Sequence, residues 1–145
     1  PYLDVMDNNY VEYDESLSSK MSINLWERIS RFRRVWDFSM RYEPAQLKKL
    51  DTIMDSMRSA ISFRKEDFYR HLEELLDLSA CYGELLNSES HTPRNWAKKE
   101  SSPGHFEYVV GPTQYNPLWR VMYAWNFGPE IAQYSLQGYH LKVEA

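Results

Sequence analysis

The chain has little cysteine and no long apolar run. Among its 145 residues Cys81 is the sole cysteine, so no internal disulfide can form and a zinc site built from several cysteines is excluded. A single thiol favours an intracellular, reducing compartment, without distinguishing cytoplasm, nucleus or organelle matrix. No stretch approaches the roughly 18 consecutive apolar residues that a membrane span requires. We therefore expect no transmembrane segment.

Sequence motifs for catalysis are also missing. The five glycines do not cluster, which excludes a glycine-rich phosphate-binding loop, and there is no G-x-S-x-G nucleophile motif. The four histidines are dispersed without the spacing of metal ligands: His71, His91, His105 and His140. We assign no catalytic residue, metal or cofactor from the sequence, and predict a protein that is not an enzyme.

Charge is distributed unevenly along the chain. The formal net charge is −4, yet residues 1–20 alone hold five carboxylates and one lysine, which leaves the other 125 residues electrically balanced. This first segment shows no sustained helical period. It predicts an acidic flexible leader over residues 1–20, followed by a single mainly helical domain over residues 21–145. As an alternative, the leader docks on a partner or folds back on a basic helix surface.

Apolar residues recur with helical spacing in three segments before residue 87. The first begins at Asn24, a favourable N-cap, and is expected to end before Pro44. The second begins at Pro44, a favoured first-turn residue, and its apolar stripe continues to Ile61. The third spans about Lys65 to Leu86. These segments predict a three-helix N-terminal unit with short, antiparallel connections.

The C-terminal third carries weaker patterns. Residues 87–104 are rich in serine, proline and asparagine, which predicts a loop. Apolar residues alternate around 106–110, which predicts a strand, and a last strand over 139–144 is its expected partner.

Residues 117–127 fit either a strand or a helix. Trp119, Tyr123 and Trp125 belong to an alternating pattern, but Asn116-Pro117 is a helix-start signal and Gly128-Pro129 a stop, so helix is favoured. A further short helix is expected over 129–137. The predicted fold class is mainly α, with the three-helix unit and a small α+β C-terminal element.

The most unusual feature is the aromatic content of 11 Tyr, 6 Phe and 5 Trp. A core of this size does not easily cover so many rings, and aromatic and arginine side chains are enriched at protein interfaces. We therefore predict a protein–protein interaction domain, acting as an accessory subunit, adaptor or inhibitor of a larger assembly. The predicted partner-binding residues are Trp119, Tyr123, Trp125, Arg28, Arg31 and Arg34.

Two other functions are compatible with the sequence. The arginine stripe of the first helix could track phosphates, which would make the chain a nucleic-acid-binding module. A small enzyme could use His71 together with Asp67 or Glu74, because the three residues project from one side of the third helix. The absence of a familiar motif favours a lineage-restricted protein, such as a viral or organellar accessory protein. The sequence leaves the oligomeric state open.

Overall fold

A computed structural model describes residues 8–58, 64–88, 96–110, 115–129 and 135–138. The fold is mainly α with a small two-stranded antiparallel sheet, as the sequence predicts. Its elements are α1 (Glu15–Ile23), α2 (Leu25–Trp36), α3 (Pro44–Met57), α4 (Lys65–Arg70), α5 (Leu72–Ser88), β1 (Trp96–Ser102), β2 (His105–Val110) and α6 (Pro117–Phe127).

Helix α5 lies at the centre of the molecule. From Leu75 to Leu86 every residue except Glu84 is buried, because the segment carries apolar side chains on all of its faces. Helices α1, α2, α3, α4 and α6 and strand β2 all contact it. The core is therefore organised around one buried helix, and the other elements cover its sides.

The predicted first helix is shorter than expected and has a second helix before it. Asn24 is the junction between α1 and α2, and its side chain makes no capping hydrogen bond. Helix α2 ends at Trp36 because Asp37 adopts a left-handed backbone conformation with φ of 48°, which aspartate tolerates better than most residues. The turn directs Phe38 into the core, where its ring centroid lies 5.4 Å from that of Phe32.

The other two predicted helices differ in their boundaries. Helix α3 begins at Pro44 as expected and ends at Met57, and Ile61 lies outside the described residues. The third predicted helix is interrupted at His71, whose backbone (φ −103°, ψ 21°) departs from helical geometry, so α4 and α5 are separate helices. Helix α5 then continues to Ser88, slightly beyond the predicted end.

The prediction of a leader separate from the body is wrong for residues 11–20. Val11, Leu17 and Ser18 are buried, and α1 spans the expected boundary at residue 20. The Asp14 side chain caps α1 by accepting a hydrogen bond from the Ser16 backbone N–H at 2.9 Å. The segment packs because its apolar side chains face the core, with α1 lying against β2 and α5. Residues 1–7 lie outside the described residues.

The β hairpin corrects one prediction about the C-terminal third and leaves another untested. Residues 96–102 were expected in a loop but form β1, which pairs antiparallel with β2. Strand β2 therefore pairs with β1, whereas 139–144, its expected partner, falls outside the described residues. Strand β1 shows no apolar alternation, because its central residues Lys98, Lys99 and Glu100 are all charged and exposed. Charged side chains on an edge strand hinder its pairing with strands of other molecules.

Helix α6 confirms the prediction of a helix over 117–127. It begins with Pro117, and the Asn116 side chain caps it by accepting a hydrogen bond from the Trp119 backbone N–H at 3.0 Å. Of the short helix expected over 129–137, only residues 129 and 135–137 are described, and 136–137 are in a helical turn.

The hairpin is anchored on α5 at Gly83. The indole of Trp96 lies over this glycine and its Nε1 donates a hydrogen bond to Glu84 Oε2 at 2.9 Å. A Cβ atom added at Gly83 would lie 2.6 Å from Trp96 Cζ2 and 2.8 Å from Pro117 Cγ. The glycine thus provides the space that the Trp96 ring occupies.

We expect Gly83→Ala to destabilise the protein by about 1–3 kcal/mol through overpacking, although alanine is favoured over glycine in helices by about 1 kcal/mol. Denaturant unfolding measures the effect. In a Trp96→Ala background the penalty should shrink, because the larger of the two obstacles has been removed. A stabilising Gly83→Ala in the otherwise unchanged chain would show that Trp96 does not lie over Gly83.

Candidate partner-binding surface

The outer face of α6 carries a row of aromatic rings. Trp119, Tyr123 and Phe127 follow one another at intervals of four residues, which places them on one side of the helix. The Trp119 and Tyr123 ring centroids are 5.3 Å apart with planes only 15° from parallel, and those of Tyr123 and Phe127 are 4.8 Å apart. Tyr10 continues the row, with its centroid 6.1 Å from that of Phe127. We refer to these four residues as the aromatic row.

Tyr10 belongs to an extended segment, Tyr10–Asp14, which we call the strap. It runs antiparallel to α6 and is held by side-chain amides of that helix and its cap. Asn126 Oδ1 accepts a hydrogen bond from the Val11 backbone N–H at 2.8 Å, and Asn126 Nδ2 donates one to the Val11 carbonyl at 2.9 Å. The amide thus makes the pair of hydrogen bonds that a neighbouring strand would make. At the other end Asn116 Nδ2 donates to the Tyr13 hydroxyl at 2.9 Å. The strap and the helix therefore form one continuous surface.

A buried polar network connects α6 and α3 to residues 135–138. The Arg120 guanidinium lies 5.0 Å from the Tyr123 ring centroid and donates to the Ser135 carbonyl at 3.1 Å. Asp51 accepts the backbone N–H groups of Leu136 and Gln137 at 2.8 and 3.0 Å. Burial raises the pKa of Asp51 to about 6, although these two hydrogen bonds and the Arg120 charge oppose that shift. Residues 135–138 are thereby fixed against α3 and α6.

Two of the three predicted aromatic anchors lie in the aromatic row, and one does not. Trp119 is 49% exposed and Tyr123 is half-buried, whereas Trp125 is completely buried against Phe68, with ring centroids 5.6 Å apart. The prediction for Trp125 as a surface anchor is therefore wrong. Residues two apart on a helix point about 200° away from each other, so an alternating pattern places anchors together only on a strand.

Sequence reasoning missed two members of the row. Phe127 lies four residues after Tyr123, and that spacing could have identified it once a helix was favoured. Tyr10 has no comparable signal, because its position depends on contacts between residues more than one hundred positions apart, such as Val11 with Asn126.

The predicted arginine stripe does not form one partner-facing surface. Arg28 is buried and its Nη1 lies 2.9 Å from Asp77 Oδ1. Arg31 binds the same carboxylate with two nitrogens, Nε to Oδ2 at 2.6 Å and Nη2 to Oδ1 at 2.8 Å. Hydrogen bonding to Asp77 raises the pKa of Arg31. Arg34 is exposed, so of the three predicted arginines only Arg34 is both exposed and outside this cluster.

Glu73 extends this cluster toward solvent. Its Oε2 lies 2.9 Å from Arg28 Nη1, and its Oε1 lies 2.9 Å from Lys20 Nζ. Hydrogen bonds from Lys20 and then from Arg28 lower the pKa of Glu73. The cluster thus joins α1 and α2 to α5 through ion pairs within the molecule.

The residues considered for catalysis are only partly brought together. His71 Nδ1 lies 3.2 Å from Glu74 Oε1, but Asp67 is 3.5 Å from Arg70 Nη1 instead. Cys81 is buried and its Sγ donates to the Ile29 carbonyl at 3.6 Å. Burial, followed by the nearby charge of Asp77, raises the pKa of the Cys81 thiol to about 12, so the thiol stays protonated near neutral pH.

The described ranges offer neither a metal site nor a membrane-spanning helix. They contain no group of three or more histidine, cysteine, aspartate or glutamate side chains placed to hold a metal ion. In the same part of the chain, no helix combines the length and the apolar character needed to cross a membrane.

Fold and surface together define a small, mainly α domain with an aromatic face on helix α6. Comparisons with protein-family models, with curated protein sequences and with solved structures each found no match to this chain.

Proposed function

We propose that the protein is a non-enzymatic interaction domain that binds another protein through the aromatic row. The observation that carries the proposal is the exposure of two large rings at the ends of the row, 49% for Trp119 and 42% for Tyr10. Tryptophan and tyrosine are the side chains most enriched among residues that dominate binding energy, because each buries a large apolar area and loses few torsions.

The row is also organised before any partner arrives. Trp119 stacks on Tyr123, and the paired hydrogen bonds of Asn126 hold the strap that carries Tyr10. A surface whose rings already support one another loses little side-chain freedom on binding, and that loss is a main cost of association. An accessory subunit, adaptor or inhibitor would present such a surface to its assembly.

The exposed tryptophan of α2 provides a matched control. Trp26 is 63% exposed, more than Trp119, but it lies at the start of a different helix and outside the row. Replacing either tryptophan by alanine removes the same ring from an exposed position. A difference between the two variants therefore reports on location and not on side-chain loss in general.

The test is affinity capture of the tagged chain from its source cells, read by native mass spectrometry. We expect a stoichiometric protein partner for the unchanged chain and for Trp26→Ala, and at least about a tenfold loss of that partner for Trp119→Ala, as for interface hot spots. Circular dichroism should show all variants folded. Recovery of the chain alone, or equal capture by Trp119→Ala and Trp26→Ala, would contradict the proposal.

A further inference from the structure

The strap has an exposed acidic edge. Its residues alternate in burial, with Val11 and Tyr13 turned toward the body and Tyr10, Glu12 and Asp14 exposed. The exposed carboxylates of Glu12 and Asp14 therefore follow Tyr10, the strap's member of the aromatic row, along the same exposed edge.

A wider acidic recess continues from the same edge. It has a volume of about 530 Å³ and is lined by Glu12, Tyr13, Asp14, Glu15, Tyr69 and His105. Tyr13 also lines the narrow cleft that contains Tyr10, Trp119 and Tyr123, so the recess and the aromatic row share a wall.

The charge of this recess is one-sided. Three carboxylates and one basic side chain line it, and that side chain, His105, has its Nδ1 2.9 Å from Glu15 Oε2. Tyr69 adds a ring that is 53% exposed. Exposed aromatic rings next to carboxylates are a combination that suits a cationic ligand, because ring faces and carboxylates both attract positive charge.

We propose, on the basis of the proposed function, that the partner presents an arginine-bearing segment that lies along the strap. Arginine meets both features of the surface: its planar guanidinium stacks on aromatic rings, and its fork of N–H donors binds carboxylates in pairs. Its apolar stem covers ring surface while the charged end reaches the carboxylates of Glu12 and Asp14. A phosphate backbone or an acidic peptide would meet like charge on this face.

The probes are three synthetic peptides of one design, in which arginine alternates with leucine and glycine. In the second peptide citrulline replaces each arginine, which removes the charge and keeps the shape. In the third peptide glutamate replaces each arginine, which reverses the charge. Binding is measured by fluorescence anisotropy at low and at physiological salt. We expect the arginine peptide to bind at least about tenfold more tightly than the citrulline peptide at low salt, with a smaller margin at higher salt.

Charge-matched variants locate the binding site. Glu12→Gln/Asp14→Asn removes two charges from the strap, and asparagine keeps the N-cap of α1. Glu27→Gln/Glu66→Gln removes two exposed charges elsewhere. We expect about a tenfold loss of arginine-peptide affinity for the strap variant and less than about a twofold change for the control. Equal losses in both variants, or none in the strap variant, would overturn the inference.

The outcomes separate this inference from the proposed function. If all three peptides bind alike and Trp119→Ala/Tyr123→Ala abolishes binding, the aromatic row binds proteins but the preference for arginine is wrong. If no peptide binds while a partner is captured through Trp119, the inference likewise fails and the proposed function stands. If the arginine peptide binds through Glu12 and Asp14 but the aromatic double variant leaves partner capture unchanged, the proposed function fails.

Discussion

Replacing Asp77 by alanine is expected to destabilise the protein by about 3–5 kcal/mol, the range for removing one partner of a buried ion pair. The Asp77 carboxylate binds Arg28 at 2.9 Å and receives two nitrogens of Arg31. The side chains of Asp77 and Arg28 are only 7% and 5% exposed. Without Asp77 the Arg28 charge would stay buried, with Glu73 as its remaining ion-pair partner in the cluster. Denaturant unfolding monitored by circular dichroism measures the loss.

Two controls separate the charge from the packing. Arg31→Ala should cost only about 1 kcal/mol, because the Arg31 side chain is 38% exposed and water can replace part of its interaction. The double variant Arg28→Met/Asp77→Leu should recover much of the stability lost in Asp77→Ala, since apolar residues often replace buried ion pairs without penalty. A cost below about 1 kcal/mol for Asp77→Ala would show that Arg28 is not held by this carboxylate.

The sequence did contain a signal for this ion pair. Asp77 stands between Leu75, Leu76 and Leu78 in a helix that is apolar on all sides. A carboxylate inside such a helix is rarely buried without a partner, so an arginine from another helix was to be expected. The sequence alone favours a partner-facing or phosphate-binding role for the arginine stripe instead, because pairing between α2 and α5 depends on tertiary structure.

Periodicity was sufficient to predict which elements exist, and tertiary contacts set where several of them end. The helix over 117–127 followed from its start and stop signals. The turn at Asp37 was not predictable locally, because no glycine or proline marks it and the burial of Phe38 that accompanies it depends on tertiary contacts. Strand β1 could not be predicted for a different reason: its exposed polar residues do not alternate with apolar ones. The strand forms because it pairs with β2 and because the Trp96 ring packs on Gly83.

Half of the candidate surface was also predictable. Trp119 and Tyr123 are one turn apart and lie together on α6, as the prediction of shared anchors requires. The strap could not be predicted from the sequence, since an acidic segment without helical period is typical of a flexible tail. The strap is held by Asn126, whose side chain makes the two hydrogen bonds with Val11 that a neighbouring strand would make. The two residues are 115 positions apart in the sequence, so no local pattern reveals the contact.

We expect Trp125→Ala to destabilise the protein by about 3–5 kcal/mol, the usual cost of truncating a large core aromatic. Trp125 is fully buried, its ring packs edge-on against Phe68, and the Arg58 guanidinium lies 5.9 Å from its centroid. Trp119→Ala should cost under about 1 kcal/mol, because half of that ring already faces solvent and little cavity is left behind. Thermal and denaturant unfolding of the two variants provide the comparison.

The contrast between the two tryptophans decides how any loss of binding is to be understood. A chain with Trp119→Ala that is folded and stable yet fails to capture a partner has lost a contact surface. A chain with Trp125→Ala that fails to bind has lost its core, and Trp125→Phe should restore both stability and binding because it refills much of the volume. If Trp125→Ala were as stable as Trp119→Ala, the two rings would have to be equally exposed, and α6 could not present the face on which the aromatic row depends.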